Sequence, residues 1–119
     1  MNEQQALDGF AALSQETRLR IVRRLVQAGP SGLPAGVIGE TVGASSSNVS
    51  FHLAHLERAG LVQSRREARS IIYSASYPTL TMLISFLMKD CCQGHPEVCG
   101  PVLADLACLC PTGEEVANA

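Results

Sequence analysis

The run Ser45-Ser46-Ser47-Asn48-Val49-Ser50-Phe51-His52-Leu53-Ala54-His55-Leu56-Glu57-Arg58-Ala59-Gly60 fixes the reading of the chain around it. Val49, Leu53 and Leu56 recur at helical spacing, so one face of this segment turns inward. Ser45 is a residue type that caps a helix start, and Gly60 suits its end. Small polar side chains crowd the first turns: Ser46, Ser47 and Asn48, then Ser50 and His52. A helix presented to the major groove needs that composition near its start, because its backbone must come close and short side chains must reach base edges. Serine hydroxyls and a helix N-terminus also hold phosphates.

Upstream, Pro34 is placed as the first residue of a helix carrying Val37, Ile38 and Val42 and closing at Gly43. Two helices joined by a short Gly-containing turn form a helix-turn-helix. Residues 3–13 hold a rough apolar stripe, and Ser14 is the expected cap of a further helix that Gly29-Pro30 stops. Downstream, Leu61 to Arg66 and Arg69 to Tyr73 flank Glu67-Ala68 as a β-hairpin, with a weak turn signal because neither Gly nor Asn sits at the tip. Leu80, Leu83, Ile84, Leu87 and Met88 then share one broad helical face, on a helix expected to run from Tyr77 to near Asp90. Residues 100–110 leave room for a helical turn or two, and the polar end from Pro111 reads as disordered. The expected class is α+β, mostly α: a winged helix-turn-helix with a dimerisation helix after the wing. Its DNA-binding and dimerisation domain covers 1–90, and a cysteine-containing segment with a flexible tail covers 91–119.

The 119 residues suffice for one domain, with 46% apolar and 17% charged side chains. Aromatics are 4% and Trp is absent, so the core rests on Leu, Val, Ile and Ala. So small a core favours oligomerisation. The net charge of -2 excludes a generally basic coat, yet Arg65, Arg66 and Arg69 cluster at the hairpin, and Arg18, Arg20, Arg23 and Arg24 form a second group. Taken singly, the serines read as a capping run and the hairpin arginines as a solvated tip. Their order and spacing together favour DNA. The start, Met1-Asn2-Glu3-Gln4-Gln5, lacks a secretory pattern, and Leu80–Met88 is too short to span a bilayer, so a cytoplasmic protein is expected. No nucleophile, base and orienter set points to an enzyme. A metal-buffering or protein-interaction module would leave the serine helix and arginine hairpin without a role.

Leu13-Ser14-Gln15-Glu16-Thr17-Arg18-Leu19-Arg20-Ile21 resembles the second-helix signature of the ArsR/SmtB metalloregulatory repressors. Val49 to Val62 is similar to their recognition helix, and Arg65-Arg66-Glu67-Ala68-Arg69 with Tyr73 to their wing. The resemblance covers about residues 7–88. Ala68 stands where the wing tip usually has Gly, and Phe51 replaces a residue that is often basic. The resemblance implies a homodimer built on the first and fifth helices. It also implies binding to an inverted-repeat operator in double-stranded DNA, and release by an inducer.

The family does not fix that inducer. Its familiar arsenic site has cysteines in the third helix, but Gly36-Val37-Ile38-Gly39-Glu40 has none. Its familiar zinc site uses His along the fifth helix, and Tyr77–Asp90 has none. All five cysteines lie after residue 90, and Cys91, Cys92 and Cys99 are the candidate ligands. Soft thiolates select thiophilic ions, and three of them complete the pyramidal shell of arsenite, As(III). The trio resembles relocated arsenite sites of some arsenic-responsive members. Antimonite, methylarsenite, cadmium and zinc are rival inducers, and His95 with Cys91, Cys92 and Cys99 would make a tetrahedral zinc or cadmium site. A cysteine on an apolar helix face is also explained by packing alone. A thiol redox or persulfide switch is the third rival. Asp90 and a helix C-terminus oppose a free thiolate there, whereas a bound ion displaces the proton itself. Cys108 and Cys110 are not required for sensing on this reading.

Overall fold

The computed structural model describes residues 1–88. The expectations for 89–119, including the tail, lie outside the described residues. The elements are α1 (Glu3–Leu13), α2 (Glu16–Ala28), β1 (Leu33–Pro34), α3 (Ala35–Val42), α4 (Ser46–Arg58), β2 (Val62–Glu67), β3 (Ser70–Ala75) and α5 (Tyr77–Met88). Met1–Leu83 pack as one unit.

Local chemistry explains most boundaries. Asn2 and Gln5 form a reciprocal capping box, each side chain accepting the other's backbone N–H at 2.8 Å. The expected Ser14 cap of α2 is corrected. Ser14 instead closes α1, its hydroxyl donating to the Ala11 carbonyl at 2.8 Å, and the Gln15 side chain caps α2 by accepting the Arg18 N–H at 2.8 Å. With only two residues between the helices, Ser14 stays committed to the first. Ser45 caps α4 as expected, its hydroxyl accepting from the Asn48 N–H at 3.3 Å. Between α3 and α4, Gly43 takes φ 71°, the left-handed conformation that lets the chain turn so tightly.

Pro34 is also corrected. It is the N-cap of α3 rather than its first helical residue, because Leu33 and Pro34 pair with Tyr73 and Ile72 as the short strand β1. The three strands are antiparallel in the order β1-β3-β2. The hairpin tip lies one residue later than expected: Glu67 still pairs with Ser70, leaving Ala68 and Arg69 as the loop. Ser76 starts α5 by accepting the Thr79 N–H at 3.4 Å, and Pro78 falls in the first turn, where no intrahelical donor is needed. The Tyr77 hydroxyl donates to the Val26 carbonyl at 3.2 Å, tying the start of α5 to the end of α2.

The core is built from aliphatic side chains, with Ile21, Leu25, Ile38, Val49, Leu53, Leu56, Leu61 and Leu83 its largest fully buried members. They come from α2, α3, α4, the lead-in to β2 and α5, so the helix-turn-helix is anchored on its inner side by every neighbouring layer. Among the described residues no helix is long and apolar enough to cross a membrane.

Ala68 is the one described non-glycine residue with positive φ, at 55°. Holding alanine there costs about 1 kcal/mol that glycine avoids, and glycine's greater freedom in the unfolded chain offsets part of the gain. Ala68→Gly is expected to stabilise the fold by about 0.5 kcal/mol, roughly 3 °C in a thermal melt. An unchanged or lower Tm contradicts this account of the tip.

Candidate nucleic-acid interface

Burying Val49, Leu53 and Leu56 fixes the rotation of α4 about its axis. At roughly 100° per residue, Ser47, Phe51, Ala54 and Arg58 fall on the side opposite that buried stripe. All four are exposed. Ser46, Ser50 and Glu57 lie along one flank, and Asn48, His52 and His55 along the other. Of the predicted reading residues, Ser46, Ser47, Asn48 and Ser50 are exposed, while His52 is half-buried. Phe51 and Ala54 belong to the outermost face and were not among the sequence candidates. Their signal was the helical phase itself, which places them farther from the core than Ser50 or His52.

The two flanks are braced. On one, the Ser64 hydroxyl of β2 donates to Glu57 Oε2 at 2.7 Å, joining wing to helix. On the other, Arg18 of α2 lies with a guanidinium nitrogen 3.3 Å from His52 Nδ1, while its Nε donates to the Ala12 carbonyl of α1 at 2.7 Å. With Nδ1 accepting from Arg18, the His52 N–H is carried on Nε2, so the ring offers a donor at its far edge. Partial burial pushes the His52 imidazole below its ordinary value of 6.5, with the Arg18 guanidinium and then His55 adding to the effect. His55 is lowered as well, by partial burial, then Arg18, then Arg58.

The three wing arginines divide by the strand pleat. Ser64 and Arg66 share one face of β2, the face joined to α4. Arg65 lies on the other with Glu67, bound to its carboxylate at 2.8 Å and donating to the Ser31 carbonyl at 2.6 Å and the Pro30 carbonyl at 3.3 Å. It therefore pins the loop before β1. Arg66 and Arg69 form no ion pair or hydrogen bond among the described residues and are exposed on β2 and at the tip. Of the three wing arginines, these two are thus the ones left to face a phosphate backbone, beside the exposed face of α4. Cys91, Cys92 and Cys99 lie outside the described residues. Among those described, no group of three His, Cys, Asp or Glu side chains could hold a metal ion.

A helix-turn-helix with an exposed, hydroxyl-rich second helix and a cationic two-stranded wing defines a winged helix-turn-helix protein. Residues 13–65 match the family described as a helix-turn-helix domain. The chain is 32% identical over 94 residues to the transcriptional activator HlyU of Vibrio cholerae, covering 79% of this chain and 84% of that one. An ArsR-like transcriptional regulator from Rhodococcus sp. RHA1 superposes with a TM-score of 0.65 at 26% identity, over 89% of this chain and 90% of its own. A crystal structure of a possible transcriptional regulator for arsenical resistance gives a TM-score of 0.61 at 27% identity, over 69% and 82%. This chain belongs to the ArsR family of helix-turn-helix transcriptional regulators. Its family is one of regulators, not enzymes.

In an NMR titration His52 is expected to turn over below pH 6.5, and Arg18→Gln to move that midpoint upward. Because the folded value lies below the unfolded one, this contribution to stability is full above about pH 6.5 and is lost as pH falls through it. The denaturant midpoint should therefore drop as pH is lowered from about 7 through the folded His52 pKa, which lies below 6.5. A His52 midpoint at or above 6.5 contradicts the assigned environment.

Proposed function

We propose that this chain is a homodimeric repressor that binds an inverted-repeat operator in the cytoplasm and is released by arsenite held on Cys91, Cys92 and Cys99. The observation that carries the DNA-binding half is the braced outer face of α4 with Arg66 and Arg69 beside it. Short hydroxyl and amide side chains there suit base edges, and the two guanidiniums suit phosphates. Helices of two protomers set about 34 Å apart would enter successive major grooves.

Dimerisation through α1 and α5 is supported by what those helices leave exposed. Gly9 of α1 is packed so closely on Leu83 of α5 that an added Cβ would lie 2.9 Å from a Leu83 methyl. The pair is therefore tightly joined, yet Leu7 and Phe10 of α1 and Met82 of α5 remain exposed. Ile84 and Leu87, farther along α5, are exposed too. Apolar side chains of this number on two adjoining helices favour a second copy as their cover.

The sensing half rests on the sequence that follows α5. Cys91 comes three residues after Met88, the last residue of α5, so the candidate ligands begin close to that helix in sequence. An ion that gathers Cys91, Cys92 and Cys99 would bias the dimer geometry and lower operator affinity, and linkage requires DNA to weaken inducer binding equally. The likeness to the "possible transcriptional regulator for arsenical resistance" supports this choice of inducer. A thiol redox switch is the second reading. It is favoured by HlyU, whose structure has been solved in a reduced form that matches this chain at a TM-score of 0.59 and 32% identity.

Fluorescence anisotropy on a duplex selected from a random pool tests the proposal. Arsenite should weaken binding by at least about ten-fold, Cys91→Ser should abolish that response, and arsenic absorption spectra should show three sulfur neighbours. Binding that ignores arsenite but responds to peroxide or persulfide overturns arsenite sensing in favour of the redox reading. A response to zinc or cadmium alone replaces arsenite with a His95-containing site.

A further inference from the structure

Phe51 is the most exposed large apolar side chain between Met1 and Leu83, at 61%. It stands on the part of α4 farthest from the core, roughly 200° round the helix from Val49. Its neighbours on that face, Ser47 and Ala54, are too small to cover it. Its ring contact among the described residues is with His52, in a T-shaped pair with centroids 5.3 Å apart and planes at 68°. That contact steadies the ring without burying it. No second large apolar side chain shares the face, so Phe51 is not part of a protein-docking patch of the usual extent.

On the DNA-binding reading given above, on which this inference rests, the ring is the first group to meet the floor of the major groove. A phenyl group has neither donor nor acceptor. Set against the O6 and N7 of guanine, or the N7 and N6 of adenine, it would strip water from polar atoms and return no hydrogen bond. The one apolar feature on that floor is the C5-methyl group of thymine. We propose that Phe51 reads thymine: its ring packs on a thymine methyl at one symmetric position of each half-site and makes that position the A·T-specific one. Ser47 and Ala54 leave the space the ring needs to lie down on the base step. Side chains that wedge between bases work from the minor groove, whereas α4 is shaped for the major one.

The test begins with binding sites selected from random duplexes by the wild-type protein. They should contain a symmetric pair of thymines. Replacing those thymines by deoxyuridine removes only the methyl groups, and wild-type affinity should fall about four-fold per methyl. Phe51→Ala should bind the thymine and deoxyuridine duplexes equally, with an unchanged salt slope, because no phosphate contact is lost. The deoxyuridine comparison on the wild-type protein needs no variant to fold. If the wild type selects specific sites but tolerates deoxyuridine at every thymine, the methyl reading is overturned while DNA binding stands. If Phe51→Ala weakens binding without any methyl sensitivity in the wild type, the ring acts as a wedge and the proposal fails. If the wild type binds no duplex, the DNA-binding reading itself fails.

Discussion

One helix can bury only one face, and α4 spends its buried face on Val49, Leu53 and Leu56. Everything the interface offers follows from that rotation. Slide the stripe by one residue and Phe51 would turn toward the core while a leucine faced solvent. The inward face is anchored by apolar contact, which is strong but non-directional. The flanks add direction, through Ser64 to Glu57 on the wing side and Arg18 to His52 on the α2 side. Arg18 also holds the Ala12 carbonyl, so a single guanidinium touches α1, its own α2 and the reading helix. A displacement of α1 therefore meets the recognition helix through one side chain.

Electrostatics here is local. A chain with a net charge of -2 repels DNA at long range, and the attraction must come from arginines placed within a Debye length of the phosphates. The wing sorts its own: Arg65 is consumed by Glu67 and two loop carbonyls, leaving Arg66 and Arg69 outward. Arg65 thus serves the interface indirectly, by fixing the loop that precedes β1. Sequence proximity grouped the three arginines, and the strand pleat separated them.

Helical periodicity carried most of the fold, because α4 and α5 repeat their apolar residues over several turns. It could not show β1, since two residues hold no alternation, and that strand turned Pro34 from a first helical residue into a cap. It could not choose between Ser14 and Gln15, since both can accept an N–H and only the short α1–α2 junction decides. The hairpin tip was one residue out because Ala68 adopts a conformation that the sequence normally announces with glycine. At the interface, residue type selected the serines and His52. It passed over Phe51, whose importance lies in where the helix points it rather than in any polar group it carries. The cysteine chemistry remains a matter of composition and spacing, as Cys91, Cys92 and Cys99 lie outside the described residues.

Backbone amide exchange, measured on the protein with and without a duplex selected from a random pool, tests the placement of the reading surface most directly. The account predicts slowed exchange through the first half of α4, Ser46 to Leu53, and at the β2–β3 tip, with the α2–α3 junction unchanged. Protection concentrated elsewhere, leaving α4 and the tip exchanging as in the free protein, would contradict it.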